Sequence, residues 1–493
     1  MTSAAPASPL AKAKFRTIAP AIAFPMFLGM VGETIVATAL PVIAASLGNI
    51  EQITWVVVAY LIAMAVTAPV YGRLGDAFGR RMMMVVALTI SLVGSVLCAL
   101  STSVEMLIAA RVFQGLGGGG LVSLSQALVS QSVQPRDRMR FHGYIAAFGF
   151  SASALGPVLG GILTDNFGWQ SVFLFNLPPA ILGIMLVFRV PARSTPFEPF
   201  RFDFPGLVLF TLFVSSLLIL VEEVRRPAET RLSLAVGLGV AMVASLLLLV
   251  RREFRATSPL FPPVLIRNPN VWRGYGMAIC HGGYFVALLA MVPIYLRVVY
   301  GLSASEIGLL MLPMTAGIGI GTFTTGQIAS RTGHAAIFPS IGLIVVAVML
   351  AGLGFFHDPL PLSVLSIYLG FISLATGTVM AVVQATVQSE SSGALLGTAT
   401  SGVSLSRALG AAIGTALAGT LLFATLAANG MEISTQLQAI LQGSGEGLTS
   451  MGAAAEAEIR ANVAFAFRGV FFLIASYAVI GCVLAWTLTR RRL

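Results

Sequence analysis

Apolar runs of about 20 residues follow one another from Ile18 to Leu488, each ended by a short break rich in arginine, glycine or proline. That is the length a helix needs to cross the hydrocarbon of a bilayer. The runs predict an all-α membrane protein of fourteen spans, over residues 18–45, 53–72, 82–101, 104–127, 140–164, 169–189, 204–222, 231–250, 272–297, 304–327, 335–356, 361–384, 395–425 and 467–488. The breaks alternate in charge. One set holds Lys12, Lys14, Arg16, Arg73, Arg80, Arg81, Arg136, Arg138, Arg140, Arg189, Arg193 and Arg201. It continues with Arg251, Arg252, Arg255, Arg267, Arg331 and Arg490 to Arg492, together 20 of the 29 basic residues. By the positive-inside rule, these loops and both termini are expected on the cytoplasmic side of a cytoplasmic (inner) membrane. The opening MTSAAPASPLAKAKFR is polar, basic and continuous with the first span, so no cleavable signal peptide is expected.

Composition agrees. Of 493 residues, 57% are hydrophobic and 10% charged, with a mean hydropathy of +0.92; a soluble domain carries roughly 25% charged residues. The net charge of +10 lies in the loops of one side, so it signals topology and not nucleic acid. Cys98, Cys280 and Cys482 each lie inside an apolar run, with no disulfide or metal spacing. The histidines, His142, His281, His334 and His357, are scattered, which disfavours a membrane enzyme, and no phosphate loop suggests ATP as the driving force.

The chain also repeats itself at an offset of 254. GRLGDAFGRR at Gly72 has a faded copy, GQIASRTGH, at Gly326; GPVLGG at Gly156 is matched by GAAIGT at Gly410. The predicted organisation is a tail (1–17), a six-helix half (18–189), a linker with two inserted spans (190–271), a second six-helix half (272–488) and a short tail (489–493). The second half contains a long polar outer loop, 426–466, read as a mobile or surface-lying segment. Parallel repeats of this kind point to a rocking transporter.

Some polar residues break the repeat. Glu33 falls near mid-depth of the first span and maps onto Ala287; Arg407 maps onto Ser153. An acid in hydrocarbon is functional by default. Burial disfavours its charged form, so it can exchange a proton, and when ionised it can attract a cation. A proton and a cation competing for one group is the minimum for antiport. A neutral carboxyl bonded to a neighbouring helix is the structural alternative. Arg111 enters about 10 Å down the fourth span, at 1.5 Å per residue, where it could pair with Glu33 or anchor on helix-end carbonyls, with Gln114 helping to hold it. Arg407, near the predicted cytoplasmic end of its helix, could simply snorkel. Tyr60, His281, Tyr284 and Gln384 are polar or aromatic groups that could line a substrate cavity together with Glu33, Gln114 and Arg407. Gly156, Pro157, Gly160 and Gly161 combine small residues with a helix-bending proline, which predicts a flexible contact face between the halves.

These motifs carry a family resemblance. GRLGDAFGRR (Gly72 to Arg81) resembles the signature between the second and third helices of the major facilitator superfamily. LIAARVFQGLGGG (Leu107 to Gly119) and GYIAAFGFSASALGPVLGG (Gly143 to Gly161) resemble its fourth-helix motif and the fifth-helix motif of its antiporters. ETIVATALP (Glu33 to Pro41) resembles the first-helix motif of its 14-span drug:proton antiporters. The chain departs twice: Glu33 stands where the family usually has Asp, and Ala152 where it usually has Gly. The resemblance implies two six-helix halves plus two inserted helices. It also implies proton coupling through Glu33 and Arg111, and a cytoplasmic latch made by Gly72, Asp76, Gly79, Arg80 and Arg81. The expected activity is export of amphipathic, cationic compounds driven by a proton gradient, with no cofactor. The expected partners are protons, a small-molecule substrate and lipid, with a periplasmic adaptor if the source has two membranes. A dedicated exporter of one metabolite, lipid or siderophore is the alternative: broad export of dications would call for further acids, and the tenth helix offers Glu306 at its mouth.

Overall fold

The computed structural model describes residues 9–36, 38–47, 52–53, 55–132, 135–190, 202–224, 232–256, 259–302, 304–356, 360–428 and 453–488. Among these residues the regular structure is helical, and helices occupy all fourteen predicted positions. The first span is Pro9–Thr34 followed, after a break, by Leu40–Leu47. The second to fifth are Trp55–Phe78, Arg80–Ala99, Val104–Ser132 and Pro135–Phe167. The sixth is Gln170–Leu174 with Leu177–Val187. The seventh and eighth are Phe204–Val224 and Leu232–Glu253. The ninth is Pro269–Tyr300, and the tenth is Ala304–Leu310 with Leu312–Thr332. The last four are Ile337–Phe355, Leu362–Ser389, Leu396–Ala428 and Ala453–Trp486. Among the described residues, helices at twelve of these positions are long and apolar enough in themselves to cross a membrane.

Several ends differ from the sequence reading. The first helix starts at Pro9, inside the expected tail. The fourteenth starts at Ala453, inside the expected outer loop, because AAAEAEIRA is made of strong helix formers whose polarity hid the helix from a hydropathy pattern. The rest of that loop, 429–452, lies outside the described residues, as do the tail at 1–8 and the last five residues. The ninth span is capped at both ends: the Asn268 side chain accepts from Asn270 N at 3.0 Å, and Gly301 takes a left-handed φ of 69°.

One buried cluster draws on residues between Ala21 and Val190 and a second on residues between Leu265 and Leu488. The two groups of helices meet along the second and thirteenth spans and along the fifth and tenth, where Tyr144 sets its ring edge-on to Phe323 at 5.3 Å. A third cluster joins Phe210, Val214 and Leu249 of the inserted seventh and eighth spans to Ala65 and Val66 of the second and Leu405 of the thirteenth. The inserted pair thus leans on the seam between the two groups.

Candidate functional site

The first span breaks immediately after Glu33. Its helix ends at Thr34, and the chain resumes as helix at Leu40. Local sequence explains the break. Thr34, Ile35, Val36 and Thr38 are β-branched; the hydroxyls of Thr34 and Thr38 bond back to the Val31 and Ile35 carbonyls; and Pro41 lacks the N–H that would close the preceding turn. Half-helix ends with unwound carbonyls are where membrane transporters bind cations. Glu33 is half-buried, and among the described residues no hydrogen bond reaches its carboxylate.

The glycines of the fifth span form the wall behind this break. A Cβ on Gly156 would sit 3.2 Å from Ile35 N, and one on Gly160 would run into the Ile35 carbonyl and Thr38 Oγ1; Gly161 faces open space. Gly156 and Gly160 therefore lie against the turn of the first span, inside one helix group, where the sequence had suggested a contact face between the halves. Close approach to another backbone is what requires glycine here. The Pro157 side chain lies outside the described residues.

Arg111 is wholly buried. Its Nε donates to the Val56 carbonyl at 3.0 Å, one terminal nitrogen donates to Gln114 Oε1 at 2.6 Å, and the other to the Gly32 carbonyl at 3.3 Å. The guanidinium stacks over the Tyr60 ring at 4.0 Å. Gln114 is held in turn by Ser95 Oγ at 2.7 Å. The sequence left Arg111 a choice between Glu33 and backbone carbonyls; the structure gives it the carbonyls. It holds the residue next to Glu33 rather than the carboxylate itself. Tyr60 and Gln114, expected on the cavity wall, are the packing around this anchor and are buried.

Arg407 lies about 16 Å along a helix that begins at Leu396, at 1.5 Å per residue. That is deeper than the helix end at which the sequence left snorkelling open. It is half-buried and close enough to act electrostatically on both Glu33 and His281. His281 is 1% exposed, with neither ring nitrogen bonded, and it packs against the rings of Tyr284 and Phe285. Tyr284 is fully buried in the second core. Gln384 has a different part: its Nε2 donates to Gln126 Oε1 on the fourth span, which also accepts from Ser404 of the thirteenth at 3.4 Å. Gln384 therefore ties the two helix groups together.

At the arginine-rich end, Asp76 makes the other tie. Its carboxylate accepts from Gly397 N and Thr398 N at 2.9 Å and from Thr398 Oγ1 at 3.1 Å. An anion thus caps the N-terminus of the thirteenth helix, where the backbone donors are free and the dipole favours negative charge. Arg80 pairs with Asp76 at 2.7 Å and reaches Gln131 at 3.0 Å. Gly79 has a φ of 94°, the turn that starts the third span. Gly72 lets Ser401 and the Gly397 carbonyl approach, and Arg81 covers Phe188 at 5.3 Å. The two helix groups are therefore tied together at the arginine-rich end. Gln126, Ser404, Gly397 and Thr398 were not singled out by sequence reasoning; a lone glutamine in LVSLSQALVS was the one available signal.

Residues 22–415 match the model of the Major Facilitator Superfamily. An uncharacterized MFS-type transporter of Mycobacterium tuberculosis (strain CDC 1551 / Oshkosh) is 34% identical over 78% of this chain and 56% of its own, so the chain spans little more than half the length of that relative. The multidrug transporter protein MdtP of Bacillus subtilis (strain 168) is 29% identical over 78% of this chain and 71% of its own. Among solved structures, the human organic anion transporter MFSD10 superposes with a TM-score of 0.64 over 95% of this chain and 99% of that one, at 15% identity, a likeness of fold.

Proposed function

The chain belongs to the Major Facilitator Superfamily, a multi-pass membrane transporter, and on that footing we propose that it exports amphipathic, cationic compounds across the cytoplasmic membrane in exchange for protons. The arginine-rich end is the cytoplasmic side. The observation that carries the reading is Glu33: an acid at a helix break, with no hydrogen bond among the described residues and with Arg407 across from it.

In the closed-latch state the cytoplasmic end is shut, and Glu33 exchanges protons with the opposite side. Opening the Asp76 contact exposes the same carboxyl to the cytoplasm. A cationic compound there displaces the proton, and the reverse rocking releases the compound outside. Arg407 gives the ionised carboxylate an internal counter-ion while the cleft is empty, so the site is never left as a bare charge. Arg111 holds the Gly32 carbonyl and so moves as one body with the backbone that carries Glu33. The name of MdtP supports a drug-like substrate class.

Proteoliposomes with an imposed pH gradient and a lipophilic cation such as ethidium test this. Glu33→Gln is expected to insert normally and to lose gradient-driven transport. Full transport by that variant overturns the assignment. Susceptibility of cells to a panel of unrelated cations, with and without the protein, separates broad export from a dedicated exporter, which would change the response to one compound.

A further inference from the structure

The eighth span ends in a carboxylate that the transport scheme leaves unused. We propose that Glu253 is a positioning residue of the latch, holding both of its jaws from the side of the inserted helices and letting go when it takes a proton from the arginine-rich end. This rests on the reading of the Asp76 contact as a latch.

Glu253 is 6% exposed. Its Oε2 accepts from Phe261 N at 2.9 Å, which pins the turn ahead of the ninth span. Phe261 and Pro262 of that turn line a small cavity together with Thr398, Gly402 and Leu405. Thr398 is one of the donors to Asp76. Phe261 also packs against the cluster that contains Leu405 of the thirteenth helix, so through the turn Glu253 braces the start of that helix, which is one jaw. The other jaw carries Arg73 and Asp76 on the second span, and Arg73 feels both the Asp76 and the Glu253 carboxylates. One acid therefore reaches both sides of the contact that closes the bundle.

The remaining oxygen shows where a proton would go. Glu253 Oε1 is buried without a partner, and so is Asp203 Oδ2 at the start of the seventh span. Asp203, 7% exposed, uses its other oxygen to accept from Arg252 at 3.0 and 3.1 Å and from Gly206 N at 3.1 Å. The two carboxylates act on each other electrostatically. The groups that face Glu253 are thus Arg73 from the second span, Asp203 with its Arg252 partner from the inserted pair, and the Leu260 and Phe261 N–H groups from the turn. A proton taken here would sit on one of two buried oxygens that have no hydrogen-bond partner, and their electrostatic coupling makes the titration a property of the pair. The proton also removes one of the two carboxylate charges that act on Arg73, while Phe261 N keeps an acceptor.

The test uses full-length protein in lipid nanodiscs, with Cys98, Cys280 and Cys482 replaced and spin labels at Met82→Cys and Gly393→Cys. Distances across the latch are recorded from about pH 5 to about pH 9. The unaltered latch is expected to pass from closed to open as pH falls, with the open-to-closed ratio rising about tenfold, the size of one charged hydrogen bond. Glu253→Gln keeps an acceptor for Phe261 and is expected to give the open-rich, pH-independent distribution. Glu253→Asp should restore part of the pH response, which a purely structural role would not do. In an Arg73→Ala background, Glu253→Gln should no longer change the distances. A Glu253→Gln protein with unaltered distances and pH response overturns the proposal. If Asp76→Asn opens the latch and Glu253→Gln does not, this inference alone fails; if Asp76→Asn leaves the latch shut, the latch reading falls and this inference with it.

Discussion

The two repeats agree wherever helices must pack and disagree wherever something must act between them. Gly79 and Gly333, 254 positions apart, both turn the chain through left-handed φ, at 94° and 72°. Gly156 lets the fifth helix approach the first, and Gly410 lets the thirteenth approach the backbone of the ninth at Ile279. At the same offset, however, Asp76 meets Ser330, Arg111 meets Leu365 and Glu33 meets Ala287. Ser330 bonds to its own Gln327 carbonyl at 2.9 Å, whereas Asp76 reaches across to the thirteenth helix. Leu365 and Ala287 are ordinary core. One repeat carries the charged groups; the other receives them, with a helix N-terminus for Asp76 and with Arg407 near Glu33. At this offset the packing glycines correspond, and the charged groups do not.

The comparison breaks most easily at Arg111. Arg111→Ala orphans the Val56 and Gly32 carbonyls, frees Gln114 and uncovers Tyr60, at a cost of about 3 kcal/mol or more. Transport is expected to fall to background, and Arg111→Lys is not expected to rescue it, since an ammonium cannot fork to three acceptors. Leu365→Ala should cost a similar amount, about 2–5 kcal/mol, yet leave proton-driven transport in the protein that folds. Thermal unfolding and gradient-driven uptake measured on both variants separate a stability loss from a coupling loss. Normal coupling in Arg111→Ala would mean the asymmetry there is only packing. The next largest effect is at the latch. Asp76→Asn keeps the shape but loses the charge facing Arg80 and the helix end, worth about 1–3 kcal/mol. That corresponds to roughly a tenfold to hundredfold rise in accessibility of the arginine-rich end to a water-soluble thiol reagent. Ser330→Ala should change it by less than about twofold, since a local hydroxyl bond of this kind contributes little.

Much of this was legible before any coordinates. Fourteen apolar runs gave fourteen helices, and the offset of 254 gave the paired glycines, because both signals are periodic and local. The motif around Asp76 was legible as a latch, though not which helix end its carboxylate would meet. Four things were not legible. The break after Glu33 lies inside a run that reads as continuous hydrophobicity, and its β-branched residues look like ordinary span. Arg111 had two kinds of acceptor open to it, and only tertiary contact decides between a carboxylate and a carbonyl. Gln384 looked like a cavity group because its partner, Gln126, sits on a helix of the other group. The start of the fourteenth helix was hidden for the opposite reason: its first turns are too polar for hydropathy, though made of strong helix formers.

The smallest effect is the sharpest control, since it lies within one motif. Gly160 and Gly161 are neighbours on the fifth helix, and only the first touches the broken turn. In Gly160→Ala the new Cβ meets the Ile35 carbonyl and the Thr38 hydroxyl, so the unwound segment behind Glu33 must shift. Transport is expected to slow several-fold while the protein stays folded, as overpacking by one methyl costs about 1–3 kcal/mol. In Gly161→Ala the Cβ enters open space, and replacing a helical glycine gains up to about 1 kcal/mol. That variant should melt slightly higher and transport normally. Initial uptake rates and melting temperatures, taken side by side, decide the matter. If both alanines slow transport alike, the motif acts through the flexibility of its own helix. If only Gly160→Ala does, it acts as the wall that shapes the turn carrying the acid, and the glycines of this repeat have acquired a duty beyond the packing they share with Gly410.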